Sequence, residues 1–319
     1  MKRTIFALVL LLALVALAPA QQALFGGRVP QAGQSGAALP QGVTLFALDN
    51  DNTIWRKGPN QPDFRPFVRV GRLFTQEEQL IGIDFRPADG LLYALSDAST
   101  IYTIDVTGEG KGNVVRISAL GVKFAGGVQS LMDFNPVLNA LRLIGSNDQN
   151  LAVVNGNGNL QTTAPQTRIT YDPADVNAGA DPNLVGGSYT NNLNGATVTI
   201  FYGVDAATGS LVTIDPATPG GSSATGGGKL HTIGRLQTFD SNPLNVTSTA
   251  DLDIYTDANG VNTLIGITGR TLFTIPVAQI PQPQLGTTAP VTVRASRIGN
   301  GGLIDIAAAL LPRGKGGDE

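Results

Sequence analysis

Four aspartates of this 319-residue chain fall on what reads as one repeated position: Asp84, Asp133, Asp253 and Asp305. Each lies in a short apolar run that opens a four-run unit, so each belongs on the innermost strand of that unit. Carboxylates gathered around a central channel can do two kinds of chemistry. They can hold a cation such as calcium through oxygen ligands, or they can keep protons, because like charges at close range raise pKa. A structural role stands beside both. An Asp at a strand start accepts backbone N–H bonds and sets the turn into the next unit. A residue found in nearly every repeat usually builds the repeat, so these four are expected to be structural, with metal binding left open.

Ligand contact is expected elsewhere, at the two longest connections between units. One carries Asp172, Asp175, Asn177, Asp181 and Asn183, with Tyr189 on the strand that follows; the other carries Phe239, Asp240 and Asn242. Loops longer than their siblings on a rigid scaffold are where binding usually resides. Both connections lead from a fourth run to the next first run, which puts them on one face. Their Asx and aromatic content suits a polysaccharide or a protein partner.

Other constellations are weaker. Asp49-Asn-Asp-Asn-Thr53 resembles the start of a calcium loop but lacks the Gly and the downstream bidentate Glu; a hairpin turn is expected there. His231 is the single His, so it alone could serve a Ser-His-Asp triad. It falls in an outermost strand, no G-x-S-x-G elbow exists, and an ordinary surface residue is expected. Glu is scarce (Glu77, Glu78, Glu109, Glu319), and Glu77-Glu78 reads as a solvated loop pair. A glycosidase-like hydrolase with Asp and Glu at the channel mouth is the alternative to a non-catalytic module. The Gly-rich stretch 219–228 lacks the Ser or Thr and the helix of a phosphate loop. Arg69, Arg116, Arg235 and Arg294 recur in fourth runs without forming a basic stripe, and the formal charge is −3, so no nucleic-acid partner is expected.

The elements that must position these residues recur every fifty residues or so. Leu80–Pro87 resembles Gln129–Pro136, with Asp84 and Asp133 49 residues apart. Fainter copies surround Ser188-Tyr189 and Asp251–Ile254. Each unit continues with a second and a third apolar run, then a fourth: Phe67–Leu73, Val114–Leu120, Arg168–Tyr171, His231–Leu236 and Val291–Ile298. All are short, β-branched and bounded by turn residues, which is the strand signature. The first unit starts at its second run, Val43–Leu48, and the missing first run appears at the other end as Leu303–Ile306. A ring explains that permutation, because the last strand can pair beside the first unit and hide the sheet edges. The expected fold is all-β: a five-bladed β-propeller of four-stranded blades over 42–311, closed by the C-terminal strand. A β-sandwich predicts neither the period nor the split unit.

Composition agrees. Charged residues are 14% against roughly 25% in ordinary soluble domains, Gly numbers 40 and Cys is absent. No disulfide, thiolate site or Cys nucleophile exists. Lys2 and Arg3, the 13-residue apolar run Ile5–Leu17 and Ala18-Pro-Ala20 form a secretory signal peptide pattern, cleaved near Ala20. The run is short of the about 20 residues that span a bilayer. Removing it leaves 19 basic and 24 acidic residues, a net charge of −5. Residues 21–41 read as a flexible linker and 312–319 as a disordered tail. The mature chain is expected to be monomeric, without a membrane span, and periplasmic or secreted.

The segments GIDFRPADGLLYAL, TIYTID, MDFNP and DPNLVGGSYTNNLNGATVTIFYGVD resemble the bacterial domain of unknown function 4394 family. The likeness covers most of Thr44–Leu310. It implies secretion and propeller-like repeats. That family has no established activity, so no catalytic residue transfers. The first unit departs from the pattern, with Thr53-Ile-Trp-Arg-Lys57 in place of a small-polar-tyrosine strand.

Overall fold

The computed structural model describes residues 36–310, apart from 72, 74, 76, 109, 157–158 and 215–226. The expected signal peptide, the tail, Glu109, most of the linker and most of the Gly-rich stretch lie outside the described residues.

Among the described residues the chain folds as mostly antiparallel strands with one short 3-10 turn, Val277–Gln279. In order they are β1 (Val43–Asp49), β2 (Thr53–Lys57), β3 (Arg65–Arg69), β4 (Leu80–Phe85), β5 (Leu92–Ser96), β6 (Thr100–Ile104) and β7 (Val114–Ala119). Then come β8 (Ser130–Asn135), β9 (Ala140–Gly145), β10 (Asn150–Gly156), β11 (Asn159–Pro165), β12 (Thr170–Tyr171), β13 (Leu184–Tyr189) and β14 (Phe201–Asp205). The last are β15 (Ser210–Ile214), β16 (Lys229–Thr238), β17 (Asp251–Thr256), β18 (Asn262–Thr268), β19 (Thr271–Pro276), β20 (Val291–Arg297) and β21 (Leu303–Leu310).

Three sheets have four strands each, ordered β21-β1-β2-β3, β4-β5-β6-β7 and β11-β10-β9-β8. The groups β13-β14-β15-β16 and β17-β18-β19-β20 are joined by parallel pairing of Leu236–Thr238 with Val291–Val293. The architecture is all-β and propeller-like. The C-terminal strand β21 pairs antiparallel with β1 from Val43↔Leu310 to Asp49↔Leu303. The first strands pack on one another in succession: β4 on β8, β8 on β13, β13 on β17, β17 on β21, and β21 on β4. They are buried along their whole length, so the Asp and Ser residues set among their apolar side chains lie inside as well.

The apolar core lies between successive sheets. Phe46 and Leu48 pack with Leu80 and Ile83; Tyr93 and Ile101 with Phe134 and Leu141; Ile144 with Tyr189 and Phe201. Val204 packs with Leu252 and Phe273, and Ile265 and Leu272 with Val43 and Leu45. Leu39, inside the expected linker, is buried in the last of these clusters.

Two strand assignments change. The fourth strand of the third sheet is β11, and Arg168–Tyr171 instead supplies β12, which pairs parallel with β16 of the next sheet. The segment NLQTTAP is polar, so it shows no apolar run to betray a strand. The Asp49 segment is the hairpin turn expected of it. Asp49 Oδ1 accepts the N–H groups of Asp51 and Thr53, Oδ2 accepts Trp55 Nε1 at 2.7 Å, and Asn52 holds φ at 59°. The unusual Trp of the first unit therefore completes its turn.

Candidate functional site

The repeated aspartates stand side by side on the first strands, and each reaches the next strand's backbone in the same rotational sense. Asp84 Oδ2 accepts the Phe134 N–H at 2.7 Å, and Asp133 Oδ1 accepts that of Tyr189 at 3.0 Å. Ser188, in the same slot, accepts the Ile254 N–H at 3.1 Å and donates to Asp253 Oδ1 at 2.9 Å. Asp253 Oδ2 accepts the Ala308 N–H at 2.6 Å. Asp84, Asp133 and Asp253 thus each hold a backbone N–H of the neighbouring first strand.

Asp305 is not in that slot. The register pairs Asp84 with Tyr93, Asp133 with Arg142 and Ser188 with Tyr202. Phe46 is the counterpart of Tyr93, and Phe46 pairs with Ala307. Asp305 lies two residues earlier, on the same strand face but one layer away. It shares that layer with Asp251, which accepts the Ile306 N–H at 2.9 Å. Asp251 was missed in the sequence, although its i, i+2 spacing to Asp253 places both on one face. Gly82 and Gly186 occupy the same layer on β4 and β13. A Cβ on Gly186 would meet the Asp251 Cα at 2.5 Å, so only glycine admits this close approach.

Five buried carboxylates therefore converge. Burial is the largest cause raising the pKa of each. Neighbouring charge adds to it: Asp253 acts on Asp84, Asp84 on Asp133, and Asp251 on Asp305. Backbone N–H donors pull the other way at each site. At Asp305 the Ile83 N–H leans toward the carboxylate without completing a hydrogen bond, and both its oxygens lack a partner, as does Asp84 Oδ1. Asp84, Asp133 and Asp253 each offer a carboxylate oxygen within 4.8 Å of the other two. The two ion pairs among the described residues, Arg86–Asp89 and Arg168–Asp148, neutralise none of the five.

The structure places the expected ligand-contact residues as follows. The first long connection is strapped down. Asp175 is buried and accepts the Thr232 N–H at 2.6 Å and its hydroxyl at 2.8 Å, while Asn177 donates to the Thr232 hydroxyl at 2.9 Å. Asn183 N–H donates to Asp205 Oδ1 at 2.9 Å, and the Tyr171 hydroxyl donates to Asp205 Oδ2. Burial, then Asp205, raises the Tyr171 pKa. Asp172 closes a local turn onto the Ala174 N–H at 2.8 Å, and Asp181 is exposed. On the second connection Phe239, Asp240 and Asn242 are exposed, with the Arg294 guanidinium 5.4 Å from the Phe239 ring centre.

Two readings of single residues are corrected. His231 is 4% exposed within β16, not a surface residue, because the strand is covered on both sides. Glu78 is 7% exposed and accepts the Tyr102 hydroxyl at 2.5 Å, whereas Glu77 is exposed as expected.

Tyr189 belongs to a different place from the loops. It lines a cavity of about 440 Å³ with Leu138, Arg142, Val154, Gln166 and Asn135. Arg142 is 4% exposed and donates to Asn150 Oδ1 at 3.1 Å, the Tyr189 hydroxyl at 3.0 Å and the Gly227 carbonyl at 2.8 Å. All three acceptors are neutral. A further cavity of about 360 Å³ lies where β4, β17 and β21 end, walled by Phe85, Tyr255, Thr256 and Ala308. No helix among the described residues is long and apolar enough to cross a membrane.

Among solved structures, a chain of the nidogen/laminin complex is 12% identical with a TM-score of 0.45, covering 84% of this chain and 98% of that one. A protein of unknown function from Bacteroides thetaiotaomicron VPI-5482 is 13% identical with a TM-score of 0.44, covering 69% and 52%. YCF48 bound to a D1 peptide is 9% identical with a TM-score of 0.34, covering 82% and 83%. No curated protein matches the sequence. The model of the family described as domain of unknown function DUF4394 matches residues 59–290, most of the chain, and the chain belongs to that family.

Proposed function

We propose that this protein is an exported, ring-closed five-bladed propeller that acts as a non-catalytic binding module for an acidic polysaccharide. The pairing of β21 with β1 and the unbroken succession of first-strand contacts support the closed ring. The N-terminal signal pattern supports export to the periplasm or beyond.

The observation that carries the ligand reading is Arg142. Among the described residues this buried guanidinium has only neutral acceptors, none of which offsets its charge, and it has N–H capacity left for an incoming oxygen. It lines a cavity whose rim is apolar, with Leu138 and Val154 exposed. A uronic acid residue, with a sugar face and a carboxylate, matches that combination. The hydrolase alternative is weakened, because its ring carboxylates Asp84, Asp133, Asp253 and Asp305 lie at most 2% exposed and leave exposed Glu77 without an accessible partner among them.

A panel of neutral and uronate-bearing oligosaccharides, read by binding and by product release, tests the proposal. Binding of the acidic members without cleavage is expected. Val154→Glu, at the exposed rim, should remove binding without unfolding the protein. Cleavage of any member, or binding that survives Val154→Glu, would overturn the assignment. Capture of a protein ligand instead would overturn the polysaccharide reading.

A further inference from the structure

We propose that Asp84, Asp133 and Asp253 form a buried site for one hard divalent cation, Ca²⁺ in first place, with Asp305 as an additional oxygen donor beside it.

The argument starts from charge. Five carboxylates share one water-excluded space, and neither ion pair among the described residues compensates them. An uncompensated buried charge costs several kcal/mol, so the cluster must take up positive charge, as protons or as a metal ion. Geometry chooses between these. Each of Asp84, Asp133 and Asp253 spends an oxygen on a backbone N–H of the next first strand. Those bonds fix the carboxylates and favour their charged form. The three then present oxygens within 4.8 Å of one another. Ca²⁺ binds oxygens at roughly 2.3–2.6 Å, so ligands on opposite sides of the ion stand at about twice that distance. A shared proton joins only two oxygens, at roughly 2.5–2.7 Å.

Asp305 supplies an independent indication. It is 1% exposed, is not one of the three, and apart from the loosely placed Ile83 N–H neither of its oxygens has a hydrogen-bond partner. Its Oδ2 stands 3.3 Å from where a Cβ on Gly82 would lie, two residues before Asp84 on β4. Asp84 Oδ1 is likewise without a partner. Native proteins seldom leave such atoms unpaired, and a missing ion is one of the recognised reasons when they do. Every donor is oxygen, which suits a hard cation and not zinc or copper.

A route in exists. The cavity of about 360 Å³ at the strand ends is walled by Phe85, which follows Asp84, and by Ala308, whose N–H holds Asp253.

The test uses the full chain, purified without chelator, then stripped with EDTA and titrated with Ca²⁺ alone or Mg²⁺ alone. One Ca²⁺ per chain is expected, with a thermal midpoint that falls on stripping and returns on addition. Asp84→Asn should lower Ca²⁺ affinity about tenfold or more, and Asp305→Asn, as a second variant, should do so in part. Asn mimics a protonated Asp. A cluster held by protons would therefore tolerate both variants with an unchanged or higher midpoint, and that result would overturn the proposal. So would an EDTA-treated protein whose midpoint ignores Ca²⁺, bound Ca²⁺ that persists in both variants, or Mg²⁺ binding tighter than Ca²⁺. None of these readouts involves a saccharide, so this site and the Arg142 cavity stand or fall separately.

Discussion

The peptide N–H of Tyr189 donates to the Asp133 carboxylate at 3.0 Å, and the hydroxyl of the same Tyr189 accepts from Arg142 at 3.0 Å. One residue of β13 thus joins the carboxylate cluster, through its backbone, to the Arg142 cavity, through its side chain. The two functions of that residue are separable by substitution.

Tyr189→Phe removes the hydroxyl and leaves the peptide in place. Arg142 loses one neutral acceptor in a buried setting, which should cost about 1–3 kcal/mol of stability. Binding of an acidic oligosaccharide should weaken, because the guanidinium is less well oriented. Calcium uptake should be unchanged. A calcium affinity that drops as far as saccharide binding would show that the two sites are not independent.

Phe134→Ala should be among the most damaging single changes. Phe134 is fully buried, meets the Tyr93 ring edge-on at 5.1 Å, and presents the N–H that Asp84 holds. Deleting such a ring leaves a cavity between the second and third sheets, and about 3–5 kcal/mol should be lost in denaturant unfolding. A loss below about 1 kcal/mol would mean that the site collapses freely, contrary to the close packing described.

Tyr171 sets an alkaline limit. Its hydroxyl donates to buried Asp205, and its pKa in the folded protein is raised above 10.0 by burial and by that carboxylate. A group with a raised folded pKa stabilises fully below its unfolded pKa and loses that contribution as pH rises toward the folded value. Stability should therefore decline from about pH 10 upward, where the unfolded phenol ionises and the folded one does not. Tyr171→Phe should flatten that decline. An identical slope in the variant would remove Tyr171 as the cause.

Removing residues 303–319 tests ring closure. Without β21, the β1 edge is unpaired and the faces of β17 and β4 that pack on it are bared. The truncated chain should unfold non-cooperatively, bind hydrophobic dye and associate through the open edge. A truncated chain that stays monomeric with an unchanged midpoint would leave the closing strand without a structural role.

Much of the strand order was legible because the first strands are short, largely apolar runs set around a repeated Asp, as in LIGIDF and SLMDFN. Where strands are polar the reading failed, as at NLQTTAP, and the nearby Ile169–Tyr171 drew attention in its place. The slot of Asp305 was misread because DIAAA contains one tempting Asp. Only the cross-strand pairing of Ala307 with Phe46 fixes the register, and a register shift between Leu48 and Asp49 disturbs the pattern just beyond it. Arg142 could not be singled out from ALRLIG. Its partners Tyr189 and Gly227 stand 47 and 85 residues away, and only folding brings them to it. Asx residues that bind and Asx residues that hold loop backbone are indistinguishable in a sequence, and only the structure shows that Asp172 and Asp175 each accept a backbone N–H.

The inner strands are fastened in one rotational sense, each by a side chain that clasps the next strand's peptide. Asp84, Asp133, Ser188 and Asp253 make four such clasps. Between β21 and β4 the series stops, because Ala307 has no oxygen to offer and Asp305 completes no bond. That is also the joint where strands from opposite ends of the chain meet. In the proposed ring, four links are riveted and one is merely pressed shut. Strain, thermal opening and the passage of an ion should all find that link first, and a cation bridging Asp305 to Asp84 would serve as its pin.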